Sequence, residues 1–455
     1  MACFYLNSVY AQNLWQAQHH SKRYVVLLKK TNTELDTIFL SIPEQGYESV
    51  PLLVKVKNDS LVAENNRYGF KLKAKAFDGN MVPSIVKNNS NTPFYLNFKP
   101  VDSIEPLYFP QHPIPPLPYF VKHVKFNGKE TGLTYGGTLT LPKGKKKYPL
   151  AVLVSGTGKQ DRDYKYSGHQ FFTVLADWLA RNGIASLRVD DRGEGETTGD
   201  FSLATSLDFA NDLHEACTYL NQQSNIDTSF LGVIGHSEGG MIASIETSRN
   251  KDVKFMVSLS GIAVSGFKNL ELQNKAILQS FDISDSLVVK YMELYKTMFR
   301  TVYNFKEGDS LELNLTHAVN AFKKQQDSTV LKALQLLDGR DLTLIYRYGK
   351  EAKTNWYKYM IHYNPKVFLS KINIPVLALN GDADINVIAN ENLNGFKTYL
   401  PTTTDLTLKS YPKLNHMYQH CDACTTAEIP EIDEVFAPEV LEDISKWINR
   451  KFKNQ

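Results

Sequence analysis

The sequence predicts an α/β fold: a mostly parallel sheet with a helical cap, preceded by a small all-β domain. Three observations support this prediction. After residue 121, short apolar runs alternate with amphipathic helical segments. Before it, residues 20–100 alternate apolar and polar side chains at period two, and a proline-rich stretch separates the two regions. Strand–helix alternation is typical of parallel sheets covered on both faces, whereas period-two blocks are typical of antiparallel sheets with one wet face.

The composition indicates a globular protein and excludes several classes of partner. The chain has 455 residues, of which 42% are hydrophobic and 22% charged, so it is long enough for two or three domains. Its net charge of +3 gives no reason to expect a nucleic-acid partner. No apolar run reaches the roughly 18 residues that a membrane helix needs. We therefore expect no nucleic-acid partner and no membrane span, while the oligomeric state stays open.

The N-terminal stretch "CFYLNSVYAQ" is mildly apolar and includes Val9, Tyr10 and Ala11. Small residues at these spacings are typical of a secretory cleavage site, although the basic n-region is missing. We interpret residues 1–11 as the remnant of a signal peptide, with a short disordered start as the alternative. Export would place the protein in the periplasm or outside the cell; otherwise it is cytoplasmic.

Two boundaries divide the rest of the chain. Residues 12–104 are predicted to form the N-terminal antiparallel β-domain, as in "YGFKLKAKAF", where apolar residues alternate with lysine or small residues. Residues 105–120 contain six prolines, which have a fixed φ and no backbone donor, so this stretch is predicted to be a stiff linker. Residues 121–455 are predicted to form the α/β domain.

Within the α/β domain, continuous apolar runs such as "PLAVLVSG", "SFLGVIG" and "IPVLALNG" predict buried strands. Segments such as "FFTVLADWLARNG" predict amphipathic helices, here with a glycine stop. Between two of the strands lies an insertion, about residues 262–373, with helical periodicity and many aromatic residues. We interpret this insertion as a helical cap.

A candidate nucleophile lies in "GVIGHSEGG", residues 232–240, which contains the pattern G-x-S-x-G around Ser237. A serine on a sharp turn between a strand and a helix is exposed above the sheet, provided that its neighbours are small, as Gly235 and Gly239 are. The backbone N–H of Glu238, at the N-terminus of the following helix, could face a developing oxyanion. The alternative is an ordinary glycine-rich loop, but the position between an apolar run and a helical segment favours a nucleophile.

A serine hydroxyl needs a base to take its proton, and an acid to orient that base. The spacing expected after Ser237 is acid and then histidine, each following a later strand. Asp384 in "DADINV" and His416 in "KLNHMYQH" occupy these two positions. Asp382 and His420 are the alternatives, and either aspartate could instead cap a helix.

The second oxyanion donor is expected in the loop that follows "LAVLVSG", among the backbone amides of residues 156–160. Thr157 is the favoured donor and Gly158 the nearby alternative. No G-K-[ST] pattern follows, so we do not expect a nucleotide site. In the later loop "DDRGEGETTG", residues 190–199, Arg192 is expected to hold neighbouring loops and to take no part in the chemistry.

The four cysteines do not form a disulfide framework. Cys421 and Cys424 make one C-x-x-C pair, with no second pair and no histidines at zinc spacing, so no metal site is expected. A local disulfide and two unpaired thiols both remain open for this pair.

Taken in order, "VSGTGKQDRD", "DDRGEGETTGDF", "GHSEGG", "LNGDADINV" and "LNHMYQHC" resemble the α/β-hydrolase superfamily. The chain is most similar to bacterial carboxylesterases with a small N-terminal β-domain and a helical cap, over nearly its whole length. The resemblance implies that Ser237 is the nucleophile, Asp384 the acid and His416 the base. The sequence departs from the family pattern at Ser155, where many members have histidine, and at Lys159, where many have proline. These departures leave the identity of the oxyanion donor open.

The function implied by the resemblance is hydrolysis of short to medium acyl esters of small molecules through an acyl-enzyme, with no metal or organic cofactor. The same three residues would also serve a thioesterase, a serine peptidase or a carbohydrate deacetylase, because the pocket and not the nucleophile selects the leaving group. A non-catalytic binding protein on the same scaffold ranks below these alternatives.

Overall fold

The computed structural model describes most of the chain. The described residues are 14–19, 22–31, 34–42, 47–57, 60–65, 70–77, 80–87, 94–96, 98–103, 109–144, 147–224, 226–281, 283–306, 308–337 and 339–454. Residues 1–11, interpreted above as a signal-peptide remnant, and residues 105–108 of the predicted linker lie outside this set. Among the described residues, no helix has both the length and the apolar character needed to cross a bilayer.

The first of two compact units comprises the described residues up to Pro110 together with Tyr166–His169. Its strands are β1 (Leu14–His19), β2 (Lys22–Thr31), β3 (Glu34–Ile42), β4 (Tyr47–Lys57), β5 (Ser60–Asn65), β6 (Phe70–Phe77), β7 (Asn80–Lys87), β8 (Phe94–Tyr95) and β9 (Lys99–Pro100). Within the described residues these nine strands form one sheet, in the order β8-β7-β6-β5-β4-β3-β2-β1-β9. Neighbouring strands are antiparallel, as in the pairing of β2 with β3. The predicted antiparallel all-β region is therefore confirmed.

Alternation of side chains builds the core of this sheet. In β3, Ile38 and Leu40 are both fully buried while Phe39 between them is partly exposed. The register places Leu40 opposite Val26 on one side and Val50 on the other. These residues belong to one apolar cluster that also contains Trp15. Burial of each branched aliphatic side chain contributes roughly 1.5–3 kcal/mol to the free energy of folding. This gain favours the register in which these side chains face the core.

The second unit contains an eight-stranded sheet within the described residues. Its strands are β10 (Tyr119–Asn127), β11 (Thr134–Pro142), β12 (Leu150–Val154), β15 (Ala185–Val189), β16 (Leu231–His236), β17 (Phe255–Leu259), β18 (Val376–Gly381) and β19 (Leu406–Tyr411). A separate short hairpin consists of β13 (Lys165–Tyr166) and β14 (His169–Gln170). The spatial order of the sheet is β10-β11-β15-β12-β16-β17-β18-β19. From β15 to β19 every pairing is parallel, and β10 and β11 are antiparallel, so the predicted mostly parallel sheet is confirmed.

Helices follow most of the parallel strands. They are α1 (Phe171–Arg181), α2 (Ser206–Asn221), α3 (Glu238–Thr247), α4 (Gly266–Gln279), α5 (Asp285–Tyr303), α6 (Leu311–Lys323), α7 (Ser328–Ala333), α8 (Arg340–Ala352), α9 (Asn355–His362), α10 (Lys366–Leu369), α11 (Ala389–Tyr399) and α12 (Pro438–Lys453). Every residue of the central strands β16 and β17 is buried, which requires cover on both faces of the sheet. Helix α1 contacts α12, and α2 contacts α3.

Helices α4–α10, here called the cap, lie between β17 and β18 in the chain. Five of them begin after a residue whose side chain accepts a backbone N–H of the first turn, which is the usual N-cap arrangement. These N-cap residues are Ser265, Ser284, Ser310, Asp327 and Thr354. The cap has its own apolar cluster, which includes Leu294, Met298, Leu311, Leu315 and Tyr357. The polar N-cap residues and the apolar side chains that each helix contributes to the core therefore explain why this segment forms helices.

The cap cluster should respond to the loss of one buried side chain. Leu294 is fully buried, whereas Val289 on the same helix is 55% exposed. We expect Leu294→Ala to lower the free energy of unfolding by about 2–5 kcal/mol, because it leaves a cavity. Val289→Ala, the matched control, should change it by less than about 0.5 kcal/mol. Urea unfolding followed by circular dichroism measures both, and equal midpoints for the two variants would contradict this account of the cap.

Candidate active site

Ser237 lies on a sharp turn between β16 and α3, called the Ser237 turn below. Its backbone has φ 57° and ψ −121°, a region that residues other than glycine rarely adopt. The Ser237 N–H donates to the carbonyl oxygen of Leu259 on the neighbouring strand at 2.8 Å, and the Ser237 carbonyl accepts from Gly240 at 3.0 Å. The surrounding hydrogen bonds therefore hold a strained conformation in place.

Glycine is required next to this turn because α3 approaches the sheet very closely. A Cβ on Gly235 would lie 2.1 Å from the carbonyl oxygen of Gly239, and a Cβ on Gly239 would lie 2.2 Å from that of Val154. Neither clash involves a side chain that could move away. The two glycines of the pattern are thus explained by backbone contact between α3, β16 and β12.

Asp384 and His416 follow the carboxyl ends of β18 and β19, and the fold brings their side chains together. His416 Nδ1 lies 2.8 Å from Asp384 Oδ2. The other carboxylate oxygen accepts the backbone N–H groups of Asn386 at 2.8 Å and Val387 at 2.9 Å. Because the carboxylate only accepts, the proton sits on Nδ1, and His416 Nε2 is left with a lone pair that can accept a proton.

The charge of Asp384 results from two opposing effects. Burial by itself raises the pKa of this carboxyl, but the positive charge that His416 can carry and the hydrogen bonds that Asp384 accepts outweigh burial. The net result is a pKa below the usual value for aspartate. Asp384 is therefore ionised at neutral pH and can stabilise a protonated His416 imidazole.

His236, directly before Ser237, connects the Ser237 turn to the segment that carries His416. Its Nε2 is 2.8 Å from the carbonyl oxygen of His416, so Nε2 must donate, and Nδ1 then accepts from the hydroxyl of Tyr164 at 3.0 Å. The rings of His236 and His416 are 4.7 Å apart. Burial lowers the pKa of His236 to about 3, with a further contribution from the charge of His416. His236 is therefore neutral, and both its nitrogens are engaged in positioning.

Residues 155–160, the 155–160 loop, pass directly beside the Ser237 turn. A Cβ on Gly156 would lie 3.0 Å from the Cβ of Ser237. Within the described residues, the backbone amides of Thr157, Gly158 and Glu238 donate to no acceptor. Free amides on two sides of a serine are the kind of donors that stabilise an oxyanion.

The alternative acid and base lie elsewhere. Asp382 accepts the backbone N–H of Lys413 at 2.7 Å. The side chain of His420 is 53% exposed and faces Glu434 at 2.9 Å and Glu439 at 3.1 Å. Of the two aspartates, Asp384 is the one hydrogen-bonded to His416.

Cys421 and Cys424 form a disulfide, which settles the pairing that the sequence left open. The Cys421 N–H donates to the carbonyl oxygen of Lys413 at 3.2 Å, close to the segment that carries His416. Among the described residues, these two cysteines and Glu428 are the one group of potential metal ligands, and both sulfur atoms are bonded to each other.

Sequence reasoning missed the side chain of Glu238, since it used only the backbone of this residue. The carboxyl is buried and accepts hydrogen bonds from Ser206 Oγ at 2.7 Å and from Trp356 Nε1 in α9 at 2.8 Å. Burial raises the pKa of this carboxyl, and these hydrogen bonds lower it only in part. The one signal in the sequence was a charged residue at the start of the helical segment that follows Ser237. This signal did not identify the hydrogen-bond partners of Glu238.

The buried His236 predicts a specific dependence of stability on pH. Its pKa is about 3 in the folded chain and about 6.5 in an unfolded one. The unfolded state therefore binds more protons below pH 6.5, and the free energy of unfolding should fall by up to about 1.4 kcal/mol per pH unit between pH 6 and 4. His236→Gln removes this titration and should flatten the slope. Denaturant unfolding at several pH values measures it.

The exposed His123 provides the control for this experiment. His123→Gln should leave the slope of stability against pH as it is in the unsubstituted chain. Equal slopes for His236→Gln and the unsubstituted chain would contradict the neutral, buried state assigned to His236.

Comparisons with known proteins agree with this architecture. Residues 166–283 match the family described as Hydrolase_4, serine aminopeptidase S33. Esterase EstD from Thermotoga maritima is 31% identical over 136 residues, which cover 30% of this chain and 32% of the esterase. The chain thus aligns with about a third of the length of this curated relative.

Two solved structures are similar at low sequence identity. Est1E from Butyrivibrio proteoclasticus with ferulic acid bound is 15% identical, with coverage of 72% of this chain and 99% of that one and a TM-score of 0.42. Dienelactone hydrolase from Anabaena variabilis is 15% identical, with coverage of 73% and 98% and a TM-score of 0.40. The strand order and the strand–serine–helix turn are those of the α/β-hydrolase fold, and the matched residues 166–283 include the central strands β16 and β17 and the turn between β16 and α3.

Proposed function

We propose that this protein is a serine carboxylesterase that hydrolyses short to medium acyl esters of small molecules through an acyl-enzyme. The observation that carries the proposal is the 2.8 Å hydrogen bond between His416 and Asp384 beside the Ser237 turn. It leaves His416 Nε2 ready to accept a proton from a hydroxyl held on a strained turn, where Ser237 keeps 8% of its surface exposed. The esterase name of the Thermotoga relative supports an ester as the substrate.

In the first half of the proposed reaction, the Ser237 hydroxyl gives its proton to His416 Nε2 and its oxygen bonds to the ester carbonyl carbon. The negative charge on the carbonyl oxygen is stabilised by the backbone amide of Glu238 and by that of Thr157 or Gly158. When the C–O bond to the alcohol breaks, the leaving oxygen takes the proton from His416. The acyl group stays on Ser237.

The second half repeats these steps with water as the nucleophile. Water gives a proton to His416 Nε2 and attacks the acyl carbon, and the tetrahedral intermediate then releases the acid while the proton returns to Ser237. Asp384 stays ionised throughout and stabilises the imidazolium in both halves. The proposal needs no metal and no organic cofactor.

A second candidate is a serine peptidase with the same residues, since the matched family is described as serine aminopeptidase. Thioester and carbohydrate-ester substrates use the same chemistry at Ser237. A panel of esters, thioesters, sugar acetates and aminoacyl amides tests the ranking, which would be reversed by faster turnover of amides than of esters.

In this proposal the chain consists of two domains joined by a linker. Residues 12–104 form a β-domain, residues 105–120 a linker, and residues 121–455 the hydrolase domain with its cap insertion at about 262–373. The hydrogen bond from Trp356 in α9 to Glu238 supports a cap that lies over the Ser237 turn and limits the acyl pocket. The disulfide of Cys421 and Cys424 supports export to the periplasm or beyond, because disulfides persist in oxidising compartments.

Removing the nucleophile is the direct test of the proposal. Ser237→Ala should lower turnover of p-nitrophenyl butyrate by at least about 10⁴-fold, because no acyl-enzyme can form. Ser248→Ala, just past the end of α3, is the matched control and should keep full activity. Wild-type turnover by the Ser237→Ala variant, with circular dichroism unchanged, would refute the esterase assignment.

The proposed role of Asp384 predicts a distinct defect. Asp384→Asn keeps the size of the side chain but presents an N–H to His416, which favours the wrong tautomer, so kcat should fall by about 10³- to 10⁴-fold. Asp382→Asn is the control and should lose little activity. Comparable losses in the two variants would show that Asp384 has no special role.

A further inference from the structure

Asp191 ties together the two ends of the 155–160 loop. Its Oδ1 accepts the hydroxyl of Ser155 at 3.1 Å, and its Oδ2 accepts the backbone N–H of Gln160 at 2.8 Å. The Asp191 N–H donates in return to the carbonyl oxygen of Gln160 at 3.1 Å. Asp191, which follows β15, therefore makes three hydrogen bonds to a loop that lies about thirty positions earlier in the chain.

The carboxyl of Glu238 lies close to the middle of the same loop. Its pKa is raised by burial and lowered in part by Ser206, Trp356 and Thr157, and Ser206 and Trp356 donate hydrogen bonds to it. The loop that carries the candidate oxyanion donors is thus fastened to Asp191 at its start and its end.

Packing alone does not support this loop from below. A cavity of about 60 Å³ lies beneath it, lined by Ser155, Gly156, Gly158 and Asp191 together with Phe201 and Phe209. Packing therefore restrains the loop less on the side of this cavity than it would in a filled core. On that side the hydrogen bonds to Asp191 restrain the loop.

We propose that Asp191 is a positioning residue of this site: its carboxyl holds the 155–160 loop so that the amides of Thr157 and Gly158 face the substrate oxygen. This inference rests on the proposed esterase function and deepens it. Among the described residues Asp191 makes no hydrogen bond to Ser237, and it acts through Ser155 and Gln160.

The surroundings of Asp191 give the role a pH signature. Burial raises the pKa of Asp191 to about 8; the hydrogen bonds from Gln160 and Ser155 lower it in part, and the carboxyls of Glu238 and Asp212 raise it. Asp212 is itself hydrogen-bonded by Arg192 and Tyr135. An ionised carboxylate is a stronger acceptor than a carboxylic acid, so the loop is held more firmly above this pH.

Three variants test the proposal with p-nitrophenyl butyrate. Asp191→Ala removes both acceptors, and kcat should fall on the order of 10- to 100-fold while KM changes little, because the displaced amides would stabilise the oxyanion only in the transition state. Asp191→Asn should lose less, since its amide oxygen still accepts from Gln160. Asp200→Ala, at an exposed aspartate of the same segment, is the control and should retain full activity.

The pH profile separates positioning from a purely structural effect. The kcat/KM of the unsubstituted chain should rise through an inflection near pH 8, and Asp191→Asn should lack this inflection because asparagine does not titrate. Unchanged kcat in Asp191→Ala, a change confined to KM, or an inflection that persists in Asp191→Asn would each overturn the proposal. If Asp191→Ala does not fold, the profile of Asp191→Asn decides.

Failure of this inference is distinguishable from failure of the proposed function. If Ser237→Ala abolishes turnover while the Asp191 variants behave as the unsubstituted chain does, only the positioning role is wrong. If Ser237→Ala remains active, the esterase function itself is wrong.

Discussion

The close approach of α3 to β12 and β16 is the constraint on which the rest of the site depends. Backbone atoms meet where Gly235 and Gly239 stand, and any side chain there would strike a carbonyl oxygen about 2 Å away. This contact forces the chain to reverse within one residue, which puts Ser237 at positive φ. The strain is tolerated because the hydrogen bond to Leu259 and the buried helix over-determine the turn. A wider separation of α3 from the sheet would lower Ser237 into the core or tilt the backbone amide of Glu238 away from the Ser237 hydroxyl.

Two histidines beside this turn, His236 and His416, have different environments and different hydrogen-bond partners. His236 is buried, neutral and hydrogen-bonded at both nitrogens, so it links the turn to the backbone of His416. His416 has Nδ1 held by Asp384, so its Nε2 carries the lone pair that can accept a proton. Their adjacency follows from the parallel order of β16, β17, β18 and β19, whose carboxyl ends all reach the same edge of the sheet.

Asp384 and Asp191 show how the surroundings, and not the residue type, determine charge. Both carboxyls are withdrawn from water, and burial alone raises the pKa of each. Asp384 faces His416 and two backbone N–H groups, which together bring its pKa below the usual value. For Asp191 burial outweighs the hydrogen bonds from Gln160 and Ser155, and the carboxyls of Glu238 and Asp212 raise the pKa further. One aspartate is therefore suited to stabilise a cation, and the other holds a loop with a strength that depends on pH.

The sequence by itself determined the fold class, because side-chain periodicity and glycine spacing act over a few residues and survive in any tertiary context. It also placed Ser237, Asp384 and His416 after apolar strands. It could not identify the partners of Glu238 or Asp191, since these depend on distant segments: Trp356 lies 118 residues beyond Glu238 in the chain. Only the tertiary structure decided those contacts, because burial and hydrogen bonding between remote segments leave no local pattern in the sequence.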